Sequence, residues 1–205
     1  TFLQRYDCEI LLVDGGSDDD TVLLARKHGF SVLHAGGGRG IQQNTGAGEA
    51  KGRIILFLHA DTRLPENFAE EITRVLNTGK ITAGAFKLSI ANSTLPMHFI
   101  AACANLRSSI FHLPYGDQAI FILKKTFLQM GGFPELPIME DYALMKKAKK
   151  EGRIQLLDSY VVTSARRWQK LGILRTTLIN QLVIIGYHLG IPIDTLASFY
   201  RRSRR

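Results

Sequence analysis

Two short strings in this 205-residue chain bring chemically capable side chains close together, His59-Ala60-Asp61 and Glu140-Asp141. In an extended segment the first and third side chains point the same way, so His59 and Asp61 are expected to share one face. An imidazole and a carboxylate placed so suit Mn2+ or Mg2+ bridged to a diphosphate. Oxygen ligands accept either ion, and the imidazole favours manganese. A carboxylate of Glu140-Asp141 could take the proton from an attacking hydroxyl; the pair would also serve as acids complementing a helix N-terminus. Asp14 follows a short apolar run, where it can accept hydrogen bonds from a nucleobase imide or satisfy the amides of its own turn. Arg166-Arg167-Trp168 offers a phosphate clamp beside a flat aromatic, or a surface basic pair next to a core tryptophan. Asp117-Gln118 offers polar groups to a sugar hydroxyl.

Other strings are excluded by their spacing. Gly36-Gly37-Gly38-Arg39-Gly40 lacks the glycine spacing and the later acid of a dinucleotide-binding turn. Gly46-Ala47-Gly48-Glu49-Ala50-Lys51 lacks the Lys-Ser/Thr end of a P-loop.

These residues need elements to position them. Glu9 to Val13 reads as a buried strand, and Ser17 with Asp18 to Asp20 as the capped, acidic start of a helix that stops at Gly29. Ser31 to His34 reads as a strand, Ile41 to Ala50 as a helix and Arg53 to Leu58 as the strongest strand. Pro65 then opens a helix over Glu66 to Leu76. This alternation predicts an α/β fold with a mostly parallel sheet and helices on both faces. Ligands in such folds gather outside the carboxyl ends of the strands, which is where Asp14, His59 and Asp61 stand. Further on, strands are expected over Thr82 to Ala91, Ala119 to Leu123 and Ile154 to Val162. Helices are expected over Leu95 to Phe111, Glu140 to Lys150, Arg175 to Gly190 and Ile193 to Tyr200. No repeat or low-complexity linker divides the chain, so one domain is expected. Residues Thr1 to Tyr6 read as the end of an amphipathic helix.

Composition is that of a globular protein, with 45% hydrophobic and 21% charged residues. Cys8 and Cys103 make neither a metal spacing nor a disulfide framework, so a reducing, cytoplasmic setting is the default. The N-terminus does not read as a signal peptide, and Ile173 to Ile191, interrupted by Arg175, Asn180, Gln181 and His188, does not read as a membrane span. A net charge of +8, partly from Arg201, Arg202, Arg204 and Arg205, favours anionic partners or is carried by a solvated tail. Ile173, Leu174, Leu178, Leu182 and Ile185 recur at helical spacing, and Ile179, Val183 and Ile184 widen the stripe. Such a stripe predicts burial against the sheet; beside the basic terminus it also suits an anionic membrane surface.

Together these strings resemble glycosyltransferase family 2, of GT-A type, over nearly the whole chain. Val13-Asp14-Gly15-Gly16-Ser17-Asp18-Asp19-Asp20-Thr21 is similar to the family's nucleotide-binding segment. Asn44-Thr45-Gly46 with Ala50-Lys51-Gly52 is similar to its Asn-x-Gly and Ala-x-Gly stretch. Phe57-Leu58-His59-Ala60-Asp61-Thr62 stands at the Asp-x-Asp metal motif, with His59 in place of the first acid. Gly131-Gly132-Phe133-Pro134 and Glu140-Asp141 resemble the segment that carries the base, and Arg166-Arg167-Trp168 resembles the Gln-x-x-Arg-Trp motif. Ser164 in place of that glutamine argues against a processive polysaccharide synthase. The Leu-His-Ala-Asp-Thr, Tyr-Gly-Asp-Gln and Met-Glu-Asp-Tyr strings look most like a bacterial branch described as selenodomain-associated transferases. Family members open with a strand and an Asn-Glu turn ahead of the equivalent of Phe2, so the fold is expected to lack its first strand.

The resemblance implies one domain over residues 1–205, with a nucleotide-binding half over 1–80 and an acceptor half with C-terminal helices over 81–205. It implies inverting transfer of one sugar from a nucleotide-diphosphate sugar, UDP-linked, to an acceptor hydroxyl. Asp14, Gly15, Ser17 and Asn44 would bind the nucleotide, and Arg167 and Trp168 would close over the diphosphate or the acceptor. Asp61 and His59 would hold Mn2+ or Mg2+, Asp141 would be the base with Glu140 shaping its site, and Asp117 and Gln118 would meet the acceptor. No nucleic-acid partner is implied; a lipid-linked acceptor and peripheral contact with the inner membrane face are compatible with it. A non-catalytic nucleotide-binding relative and a nucleotidyltransferase are the alternatives.

Overall fold

The computed structural model describes residues 6–203. The expected helix end before Tyr6 lies outside the described residues, as do Arg204 and Arg205. Strand β1 (Leu11–Asp14) pairs in parallel with β2 (Ser31–His34), and between them runs helix α1 (Thr21–Lys27). Helix α2 (Arg39–Glu49) leads to β3 (Ile54–Leu56), a short β4 (Thr62–Arg63) and α3 (Phe68–Leu76). Then come β5 (Ile81–Ile90), α4 (Leu95–Phe111), β6 (Phe121–Leu123), α5 (Lys124–Gln129), α6 (Glu140–Glu151) and β7 (Arg153–Thr163). Three helices close the described chain: α7 (Arg166–Leu171), α8 (Ile173–His188) and α9 (Ile193–Arg202).

The sheet corrects the mostly parallel expectation. β1 and β2 form a separate parallel pair, while five strands form a mixed sheet in the order β3-β6-β5-β7-β4. In that sheet only β5 and β7 run parallel; β3 with β6, β6 with β5, and β7 with β4 are antiparallel. Strand–helix alternation shows which segments are strands. It does not report that β6 enters between β3 and β5 and reverses the direction there. The halves at residue 80 also interleave, because β3 and β4 form the sheet's edges and later strands fill its centre.

Helices do cover both faces, and strand alternation shows how. Ile55, Ala83 and Ile122 join a core with Phe127, Phe133, Leu144 and Met145 on the side of α5 and α6. Phe86, Leu88 and Phe121 face the other way, against Phe68, Ile72 and Leu76 of α3. Neighbouring residues on one strand feed opposite cores, as period-two geometry requires. Gly84 pairs with Phe121 across β5 and β6, and a side chain there would run into the Phe121 ring and lie 2.8 Å from the Gln155 carbonyl oxygen.

The C-terminal stripe departs from its expected burial. α8 packs against α4, α7 and α9 instead of the sheet. It buries Thr176, Ile179, Val183 and Gly186 and leaves Leu174, Leu178, Leu182 and Ile185 exposed.

Candidate functional site

Three separate segments meet at Gly116. The turn Gly116–Gln118 follows Tyr115, and its Gly116 amide donates to Asp141 Oδ2 at 2.7 Å. The His59 Nε2 and the Asp141 Oδ2 each lie 3.2 Å from the point where a side chain on residue 116 would begin. Glycine therefore leaves room for an imidazole and a carboxylate to converge. Asp117 joins them electrostatically: burial first, then the Asp141 charge, push its carboxyl above the usual range, while His59 and Arg107 pull it back. Such opposed influences on neighbouring acids typify sites of proton transfer.

The backbone is strained where it delivers these groups. Met139, just before α6, and Ala119, just after the 116–118 turn, both sit in the left-handed region, at φ 65° and 51°. Non-glycine residues rarely adopt it, and do so where the surrounding structure over-determines them. Met139 is packed in an apolar cluster with Ile138, Tyr142 and Val183. The Tyr142 amide donates to Asp141 Oδ1 at 2.7 Å, so each Asp141 oxygen is oriented by one backbone donor.

Gln118, expected to meet an acceptor, is withdrawn from the surface. It is fully buried; its Oε1 accepts from Ser108 Oγ at 2.7 Å and the Tyr115 amide at 3.2 Å, and its Nε2 donates to the Phe86 carbonyl at 3.0 Å. Its side chain ties the turn to β5, and Asp117 alone of that pair faces the cluster. Asn44 is likewise a strut. Its amide donates to the Phe133 carbonyl and accepts from the Phe133 amide, both at 2.9 Å. A side chain at Gly132 would press within 2.6 Å of that Asn44 Oδ1, and Gly131 and Gly132 both sit at positive φ.

Glu140 is almost wholly buried and receives Arg39 Nε at 2.8 Å from the start of α2. Burial pushes its carboxyl up, with the Arg39 charge opposing. Arg39 opens α2 directly after Gly36-Gly37-Gly38, and a lone basic residue there carries no spacing signal.

Asp14 organises its own loop. Its carboxylate accepts from the Gly16 amide at 3.0 Å, the Ser17 amide at 3.2 Å and the Ser17 hydroxyl at 2.5 Å, with His34 Nδ1 at 3.4 Å. The Ser17 hydroxyl is the foremost influence holding this carboxyl below its usual value. Ser17 therefore turns back to Asp14 and does not cap α1, which starts at Thr21 with Asp20 before it. A side chain at Gly15 would meet the Gln42 amide, which would have to swing aside.

His59 to Thr62 forms a turn closed by the Thr62 amide to the His59 carbonyl at 3.0 Å. The extended geometry expected to align His59 with Asp61 is absent, because the chain bends there between β3 and β4. His59 faces Gly116, whereas Asp61, 41% exposed, has Arg166 Nη2 at 3.9 Å. Among the described residues no three His, Cys, Asp or Glu side chains are placed to hold a metal ion between them. An open carboxylate still fits a divalent ion whose remaining ligands are diphosphate oxygens, the usual way in which Mg2+ is held.

Arg166, and not Arg167, is the arginine beside Asp61. Arg167 instead donates to Asn180 Oδ1 at 2.9 Å and lies over the Tyr200 ring at 5.2 Å. Trp168 packs against Ile90, Met97 and Ala101. A surface cavity of about 370 Å3 lined by Ser109, His112, Lys149 and residues 152–156 contains none of these groups.

Comparison with known proteins sets this geometry in context. The pattern described as Glycosyl transferase family 2 matches residues 2–132, which leaves Glu140, Asp141 and Arg166 outside the match. No curated protein matches the chain. Residues 1–349 of S. aureus TarS superpose with a TM-score of 0.63 at 18% identity, over 85% of this chain and 58% of that one. The same TarS fragment in complex with UDP-GlcNAc gives 0.60 at 18%, over 80% and 52%. The mannosyltransferase PcManGT from Pyrobaculum calidifontis, in complex with GDP-Man and Mn2+, gives 0.64 at 18%, over 85% and 52%. The chain thus spans somewhat more than half the length of these structures, and identity this low speaks for the fold alone. The family pattern, which covers more than half of the chain and runs through the Asp14 loop, the His59 turn and the Asp117 turn, decides membership: this chain belongs to glycosyl transferase family 2.

Proposed function

We propose that the protein moves one sugar from a nucleoside-diphosphate sugar, UDP-linked, to an acceptor hydroxyl, with inversion at the anomeric carbon. The observation that carries this reading is the convergence of His59, Asp117 and Asp141 on Gly116. Asp141, oriented by two backbone amides, takes the acceptor proton as the hydroxyl oxygen attacks the anomeric carbon and the bond to the diphosphate breaks. Asp117, held toward its protonated form, hydrogen-bonds a sugar or acceptor hydroxyl. Glu140 with Arg39 fixes the start of α6, and so the position of Asp141. The Asp14–Ser17 loop frames the base, and Gly15 lets it lie close to Gln42. Arg166, beside Asp61, would meet the diphosphate in place of Arg167, while Trp168 packs behind the α7 start on Ile90, Met97 and Ala101. Asn44 braces the Phe133 loop beneath the donor.

Asp61, with His59 at the other end of its turn, would hold the divalent ion, Mn2+ or Mg2+, which supplies charge neutralisation at the leaving diphosphate. TarS with UDP-GlcNAc and PcManGT with GDP-Man and Mn2+ support a nucleotide-sugar donor and a metal. The strings around Asp61, Asp117 and Asp141 favour the selenodomain-associated branch. Two free thiols, Cys8 and Cys103, suit a cytoplasmic setting.

Thermal shift with UDP, GDP and other nucleoside diphosphates, with and without Mn2+, tests the reading. A ligand at about a hundred times its Kd stabilises by roughly 2.7 kcal/mol, so UDP with Mn2+ should raise Tm by several degrees. Asp61→Ala should abolish the metal-dependent part, and His59→Ala should reduce it less. No shift with any nucleotide would overturn the donor assignment; binding without nucleotide release from the sugar donor would leave a non-catalytic relative.

A further inference from the structure

Helices α4 and α8 are predominantly apolar, yet neither is fully covered. Among the described residues no helix is long and apolar enough to cross a membrane. The two pack together, joined where Met97 and Ala101 meet Trp168 and Ile173. Each turns an apolar stripe outward. On α4, Leu95 is 85% exposed and Phe99 71%, with Ile110 further along; on α8, Leu174 is 87% exposed and Leu178 60%, with Leu182 following. At spacings of four and eleven residues these fall on single helical faces. Aromatic and leucine side chains presented to water in such stripes mark an interaction surface.

Charge identifies what covers it. The sequences of α4, α7 and α8 contain no aspartate or glutamate, and Lys170 of α7 and Arg175 of α8 stand exposed. The basic end of α9 is brought to the same place. Leu196 of α9 lies against Gly186 of α8, whereas Tyr200 and Asn180 both meet Arg167. α9 therefore runs back along α8, and its exposed Arg201 and Arg202 lie toward the α8 start. An apolar face on helices that carry cations and no acids complements an anionic bilayer: apolar side chains enter the acyl boundary and basic side chains meet lipid phosphates. A second copy fits poorly, because an isologous contact would set like charges against each other.

We propose that the α4–α8 face is a docking surface for anionic membrane lipid, holding the enzyme at the bilayer surface without spanning it. Membrane attachment brings the cluster at Gly116 to a lipid-linked acceptor, but the docking claim stands independently of the donor reading.

Co-sedimentation with phosphatidylcholine vesicles, with and without phosphatidylglycerol, tests it on the full chain. The protein should bind the anionic vesicles at low salt, ignore the neutral ones, and be released as salt rises. Phe99→Ser with Leu178→Ser, at exposed positions, should abolish binding while keeping Tm. Arg201→Ala with Arg202→Ala should weaken it roughly 25-fold, at about fivefold per arginine near an anionic surface. Both double variants should keep the UDP-induced thermal shift, which separates this result from the donor reading. The proposal is overturned by no vesicle binding at low salt, or by binding that survives the apolar substitutions. A dimer in sedimentation velocity, lost in Phe99→Ser with Leu178→Ser and unaccompanied by lipid binding, would assign the face to a second copy and overturn it too.

Discussion

Adding one methyl group at Gly116 should wedge the reacting groups apart while leaving the fold in place. A Cβ there lies 3.2 Å from both His59 Nε2 and Asp141 Oδ2, while ordinary contact begins near 3.4 Å. Each side chain must therefore retreat by a few tenths of an ångström. Both are side-chain tips, and Gly116 lies outside the left-handed region, so Gly116→Ala carries no backbone penalty. The expected stability cost is at the low end of overpacking, about 1 kcal/mol, partly offset by the stiffer unfolded chain. Catalysis is less forgiving. Misplacement by 1 Å can cost about a hundredfold; on that scale 0.3 Å costs roughly fourfold. The assay is release of UDP from a UDP-sugar with water as acceptor, alongside donor affinity by calorimetry and Tm. Gly116→Ala should slow release roughly three- to tenfold at nearly unchanged donor affinity. Gly84→Ala is the contrasting variant: its Cβ meets the Phe121 ring and the Gln155 backbone in the core, so stability should collapse. Unchanged release and Tm in Gly116→Ala would refute the convergence of His59 and Asp141 as the reacting cluster.

Asp141→Asn should keep UDP affinity and lose roughly a hundredfold or more of transfer, the scale of general-base catalysis; transfer at the wild-type rate would move the base to Asp117 or Glu140. Glu140→Gln tests the buried carboxyl through pH. Burial raises the folded pKa above 4.5, so its contribution to stability is fully present below about 4.5 and is lost as pH rises through the raised value. The Tm of Glu140→Gln relative to wild type should therefore climb with pH above about 4.5. A difference independent of pH would mean that Glu140 is not strained by its burial.

Much of this protein was legible from local pattern. The α4 helix runs over Leu95–Phe111 as its apolar periodicity predicts, and β5, α6 and β7 fall within a residue or so of their expected bounds. Period and capping are properties of neighbouring residues, so one sequence carries them. Short elements without a full period, α5, α7 and β4, left no such trace. The same limit applied to the site. The His59-Ala60-Asp61 string is visible in the sequence, but the turn closed between His59 and Thr62, which replaces the extended geometry, is not. Gln118 is expected to meet the acceptor and Asn44 the nucleotide, yet their side chains bond to Phe86 and Tyr115 and to Phe133, pairings that only the folded chain shows. Arg39 carried no motif; it matters because tertiary packing brings α2 to the start of α6 and sets its guanidinium on Glu140. The sheet's direction followed the same logic, since strand pairing is fixed by contacts between remote segments, which decide that β6 inserts antiparallel between β3 and β5. The α8 stripe was apolar on paper, but periodicity reports only that a face avoids water. Which neighbour covers it, and which residues remain uncovered, depends on the positions of α4, α7 and α9, and only the folded chain determines those.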